Sequence, residues 1–233
     1  MRYDILGILA ALVCYLVIHN RRARSAVKAE RGAMFDECTS LFDDYRVKQD
    51  GIYYPVLRGL CKGYDMTLEP IADHAGFRTL PSLWLLVSIR GSVPFGGIFD
   101  YLRRPKNVEF YSPSWNLGKD IVIPDGWPAD AWLRTDRPDQ MPPIELMDPH
   151  MEIFEDPKTK ELLVTPNGAR IVYQANEAVR SYYMLLRQVK FEDIMLKIGT
   201  VGTLVDRVIS LYEDLNKETP ESGQKSEKAA VVQ

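Results

Sequence analysis

A chain of 233 residues, 46% hydrophobic and 26% charged, is long enough for one well-packed domain and too ordinary in charge for global disorder. Its net charge of −3 argues against a nucleic-acid binder, whose footprint is basic. Cys14, Cys38 and Cys61 are too few and too widely spaced for a disulfide framework or a cysteine-rich metal site, and they read as residues of a reducing compartment.

Residues 5–18, ILGILAALVCYLVI, carry no charge and run directly into Arg21, Arg22, Arg24, Lys28 and Arg31. With Glu30 counted, this collar has a balance of +4, which leaves −7 for residues 33–233. A secretory signal needs small residues at its cleavage site, but the run ends in His19-Asn20-Arg21-Arg22. A buried helix needs a polar face or a large core, and residues 5–18 offer no polar face. A helix over residues 1–20 would be about 30 Å long, near the thickness of a bilayer's hydrocarbon core. The pattern therefore predicts a single-pass signal-anchor, a transmembrane helix over 1–20 in contact with the lipid bilayer. Arg21, Arg22 and Arg24 flank the membrane and hold the bulk of the chain on the cytoplasmic side of a bacterial inner or plasma membrane.

Residues 21–48 read as a basic stalk continuing into a first helix to about Arg46, with Phe35, Cys38, Leu41 and Phe42 at helical spacing. Asp50-Gly51 breaks it. A domain over 49–217 follows. IYYPVLRG and YDMTLEPI read as strands, with Gly59 and Gly63 marking a turn between them. LWLLVSIR reads as a central strand covered on both faces, and NVEFYS as a further strand. Six prolines between Pro113 and Pro143 leave room only for short edge strands at KDIVI and AWLRT. PIELMDPHMEIFED suggests a helix interrupted at Pro149, KELLVTPNGARIVYQ a hairpin turning at Asn167-Gly168, and YYMLLRQVKF a third strand. Val201, Leu204, Val205, Val208, Leu211, Tyr212 and Leu215 mark a final helix. Residues 218–233 lose periodicity and read as a disordered tail. The order indicates an α+β domain with an antiparallel sheet, compatible with two α-β-β-β halves.

Chemistry is sparse. Asp73-His74 shows no catalytic spacing to other residues and reads as a surface loop, and Asp148, His150 and Glu152 form only a lone H-x-E, which reads as a solvated helix end. RGSVPFGG has neither phosphate-loop nor dinucleotide spacing. No cofactor, metal site or catalytic residue is indicated. Two stretches point to binding. Arg78 and Arg90 flank the central strand as a cationic pair suited to an anionic ligand or lipid headgroup. Trp115, Trp127 and Trp132 lie in the proline-rich loop, and tryptophan is enriched at binding hot spots. The leading expectation is a membrane-anchored, non-enzymatic interaction or scaffold module with an unidentified protein partner. The alternative is a membrane-tethered domain for a small molecule or lipid.

Overall fold

The computed structural model describes residues 2–73, 80–106 and 109–217, with side chains from residue 7 onward. The predicted tail over 218–233 and the position of Arg78 lie outside the described residues.

Helix α1 (Arg2–Gly32) joins the apolar run and the basic collar in one element. It stops well short of Arg46. Two single 3-10 turns, Ala33–Phe35 and Thr39–Leu41, replace the expected continuation, and strand β1 (Asp44–Lys48) follows. Tertiary contacts explain the change. Met34, Phe35 and Cys38 are buried, the Leu196 amide donates to the Met34 carbonyl at 3.0 Å, and the Cys38 thiol donates to the Leu196 carbonyl at 3.2 Å. The helical spacing marks real core residues, held in tight turns against a distant segment.

Ile8, Leu9, Leu12, Val13, Leu16 and Ile18 of α1 are exposed, so the domain does not cover them. Among the described residues no helix is long and apolar enough to cross a membrane. From Gly7 onward the apolar stretch is closed by His19, Asn20 and the arginines. The described helix thus leaves the expectation of a membrane-spanning anchor over 1–20 unsupported.

The domain is α+β and antiparallel throughout. Its strands after β1 are β2 (Val56–Cys61), β3 (Tyr64–Asp73), β4 (Ser82–Arg90), β5 (Phe99–Arg103), β6 (Lys119–Asp120), β7 (Ala131–Thr135), β8 (Thr159–Thr165) and β9 (Gly168–Glu177). Among the described residues they form one nine-stranded sheet in the order β1-β2-β3-β4-β9-β8-β5-β7-β6. The two-halves arrangement does not hold, because the β8–β9 hairpin sits between β4 and β5 and fuses both parts of the chain into one sheet. The segment NVEFYS contributes no strand in its described residues, and β5 takes that place earlier in the chain. YYMLLRQVKF is no strand either: helix α3 (Arg180–Leu186) occupies its start. Helix α2 (Ile144–Met147) gives way at Asp148 to a 3-10 stretch (Asp148–Glu155), one residue before the expected interruption at Pro149.

Turn chemistry fixes the hairpins. Lys62 and Gly63 both have positive φ, 51° and 84°, the conformation that a two-residue turn matching strand twist requires. Gly168 has φ 142°, and a Cβ there would lie 2.0 Å from the Ile89 carbonyl oxygen, so only glycine lets β9 start beside β4. Along β4, Leu83, Leu85, Val87 and Ile89 enter the main core, while Trp84 and Leu86 join a smaller cluster with Tyr111 and Val172. Alternate residues point to opposite faces, so β4 is covered on both sides as its apolar run predicts. Helix α4 (Ile198–Lys217) covers the main core, burying Val201, Leu204, Val205, Val208, Leu211 and Leu215 against β4 and β9.

Candidate functional site

A concavity of about 820 Å³ opens at the β1–β2–β3 edge, where the foot of α1 meets the sheet. Its charged lining is Arg31, Arg46, Lys48 and Arg58 against Asp50 and Glu69, and Tyr53, Tyr54, Ile71 and Phe191 supply aromatic and apolar surface. The acidic body therefore presents a local cationic excess beside the basic collar.

Register creates that excess. Arg46 and Arg58 are direct cross-strand partners in the β1–β2 pair, so both side chains leave the same face. Like charges placed opposite each other in a sheet are destabilising. Among the described residues neither guanidinium has an ion-pairing carboxylate: Lys48 takes Asp50 at 3.7 Å. An uncompensated arginine pair in a concavity is an arrangement that an anion would relieve.

The wall facing the pair is tied down. Arg31 Nη1 donates to the Ile52 carbonyl at 2.6 Å, and its guanidinium carbon lies 4.6 Å from the Tyr54 ring centroid. Gln49 Nε2 donates to the carbonyls of Lys28 and Tyr53 at 3.0 and 2.9 Å. Burial pushes the Tyr54 phenol above its ordinary pKa, with Arg31 opposing the shift. These bonds hold the last turn of α1 against the loop between β1 and β2.

The predicted tryptophan surface divides. Trp127 is a core residue: its ring packs edge-on against Phe99 and Tyr101, and its indole N–H donates to Asp148 Oδ1 at 2.5 Å. Trp115 and Trp132 stay together, ring centroids 5.4 Å apart, with Arg134 4.1 Å above the Trp132 ring. Arg90 ends β4 exposed and lies outside the cationic concavity. Asp148, His150 and Glu152 face three different partners, because their stretch is 3-10 helix and not strand. Asp148 accepts from Trp127, His150 Nε2 lies 3.3 Å from Asp214 Oδ2, and Glu152 pairs with Arg207 at 3.0 Å. His150 is buried, and that burial lowers its pKa despite the opposing Asp214 carboxylate. No described group of His, Cys, Asp or Glu is arranged to hold a metal.

A second polar cluster lies closed inside the molecule. Asp100 and Glu161, on adjacent strands, are fully buried. Asp100 Oδ2 accepts from Ser114 and Ser112 hydroxyls at 2.7 and 3.2 Å, and Glu161 accepts from Arg170 at 2.7 Å. Burial and the neighbouring Glu161 raise the Asp100 pKa to about 8.

Arg46, Lys48 and Arg58 escape notice in the sequence. R-x-K in one strand and an arginine in the next become neighbours only once the register is known.

No family model matches the chain, and no curated protein sequence matches it. Among solved structures, the crystal structure of the mycobacterial trehalose monomycolate transport factor A, TtfA, is similar at 11% identity. Its TM-score is 0.34, with 76% of this chain and 75% of that chain covered. That likeness is too slight to carry fold or function across.

Proposed function

We propose that the chain is a membrane-associated binding module whose cationic groove takes an anionic amphiphile, a phosphate- or carboxylate-bearing headgroup with an apolar part. The observation that carries this reading is the opposed, uncompensated Arg46–Arg58 pair in a concavity with tyrosine and phenylalanine walls. Guanidinium forks suit phosphate and carboxylate oxygens, and the rings suit an acyl or planar body. The membrane association rests on the exposed apolar face of α1 next to its cationic collar. Such a face is stabilised by lipid, and the collar by anionic headgroups. A protein-docking role for the tryptophan loop is weakened because Trp127 is spent on the core.

The test is calorimetric titration of the full-length protein with short-chain phosphatidate, short-chain phosphatidylcholine and inorganic phosphate. The phosphatidate should bind, the zwitterion should not, and phosphate alone should bind more weakly. If phosphate binds as well as phosphatidate, the ligand is a free anion. Binding unchanged by Arg46→Gln and Arg58→Gln, or no anion binding at all, removes the groove from the proposal.

A further inference from the structure

Downstream of β9 the chain makes an excursion, VRSYYMLLRQVK, over residues 179–190. It leaves and returns at one point, where the Val179 amide donates to the Lys190 carbonyl at 2.9 Å. Within it α3 ends on Arg187 in the left-handed conformation, φ 53°, whose amide donates to the Tyr183 carbonyl. The excursion exposes a contiguous apolar run: Met184, Leu185 and Leu186 are 59%, 82% and 61% exposed. Arg180, Arg187 and Lys190 flank it, no acidic residue lies between Ala178 and Phe191, and Lys190 Nζ pairs with Glu192, just outside the excursion, at 3.7 Å. Lys190 Nζ sits 4.6 Å from the Tyr182 ring centroid. Val189 and Phe191 line the cationic groove, so the excursion stands at its rim.

We infer that residues 179–190 form a second membrane contact, with Leu185 and Leu186 entering the interface and Arg180 and Arg187 meeting anionic headgroups. Charge selects this occupant. In a body of net −7, an excursion carrying only positive charge would repel the same excursion of a second copy, and it complements an anionic lipid surface. Tyr182 and Tyr183 are the residue type that settles at headgroup level. The inference rests on the membrane association proposed above and adds an orientation. A straight α1 standing upright would lift Gly32 about 18 Å beyond Asn20 at 1.5 Å per residue. Contact at residue 185 therefore requires α1 to lean, which lays the groove mouth against the bilayer where an amphiphile can enter from the lipid.

The experiment attaches an environment-sensitive fluorophore at Leu185→Cys or, separately, at Leu12→Cys, in the full chain with Cys14→Ser. Cys38 and Cys61 are buried and leave the label specific. Quenching by brominated lipid is read in phosphatidylglycerol-rich and in phosphatidylcholine vesicles. The expected result is a blue-shifted label at 185, quenched about twofold more strongly in the anionic vesicles, with the excess abolished by the Arg180→Gln, Arg187→Gln double variant. A water-exposed label at 185 beside a lipid-buried label at 12 overturns this inference alone, and two exposed labels overturn the membrane reading with it. Protection at 185 that needs no lipid and grows with protein concentration shows a second copy on the excursion and also overturns the inference.

Discussion

Arg46 and Arg58 stand directly opposite each other on β1 and β2, and among the described residues no carboxylate pairs with either. The fold therefore sets two like charges opposite each other in the lining of the concavity at the β1–β2–β3 edge. Replacing Arg58 with Gln should act in opposite directions on fold and binding. Relief of repulsion should raise Tm by on the order of 1–2 °C, while affinity for an anionic amphiphile falls about tenfold or more. Thermal melts and titrations on one preparation check both. A fall in Tm with unchanged affinity would mark the arginine as merely structural.

Gly59 lies inside β2, where a Cβ would come 2.1 Å from the Asp44 carbonyl oxygen and 2.8 Å from the Tyr45 Cα. Gly59→Ala should displace β1 and carry Arg46 and Lys48 away from the groove. Because β1 is an exposed edge strand, the core should survive. The expected outcome is lost ligand binding and faster hydrogen exchange confined to residues 44–48, with α4 still protected.

Trp127 and Trp115 should separate cleanly. Trp127→Ala removes a ring packed on Phe99 and Tyr101 and leaves Asp148 without its indole donor. It should cost about 3–5 kcal/mol in urea unfolding. Trp115 is about half exposed, and its replacement by Ala should cost under about 1 kcal/mol.

Asp100 makes stability pH-dependent. Its native pKa, raised to about 8 by burial and by Glu161, lies above the ordinary carboxyl value, so the native state holds a proton that the unfolded state has released. The stabilisation is complete below about pH 4 and is lost progressively as pH rises to about 8. Asp100→Asn keeps an acceptor for Ser112 and Ser114 and removes the titration. Urea midpoints measured from pH 5 to pH 8.5 should fall with pH in the parent and show a smaller fall in the variant.

Local periodicity and turn residues carried much of the fold. The LWLLVSIR run, the β8–β9 hairpin and the seven spaced apolar residues of α4 each announce an element whose signal lies within its own residues. The hairpin turns at Pro166-Asn167, one residue before the expected Asn167-Gly168, and Gly168 opens β9. The same rule explains the failures. YYMLLRQVKF has strand composition, yet its Leu185 and Leu186 face solvent in a short helix, so composition stood there without the core that would make it a strand. Phe35, Cys38 and Leu41 keep helical spacing, but their partners come from residue 196 and beyond, and those contacts favour tight turns.

By itself the sequence determined the charge asymmetry, the class of elements and the antiparallel α+β composition, because these depend on neighbours along the chain. Tertiary structure alone decided the site. The β8–β9 hairpin inserts between β4 and β5, and the β1–β2 register sets Arg46 against Arg58. Both depend on pairings between distant residues that no local pattern encodes. The groove's cations lie dispersed from residue 31 to residue 58, and only the closing of that strand pair brings their charges together.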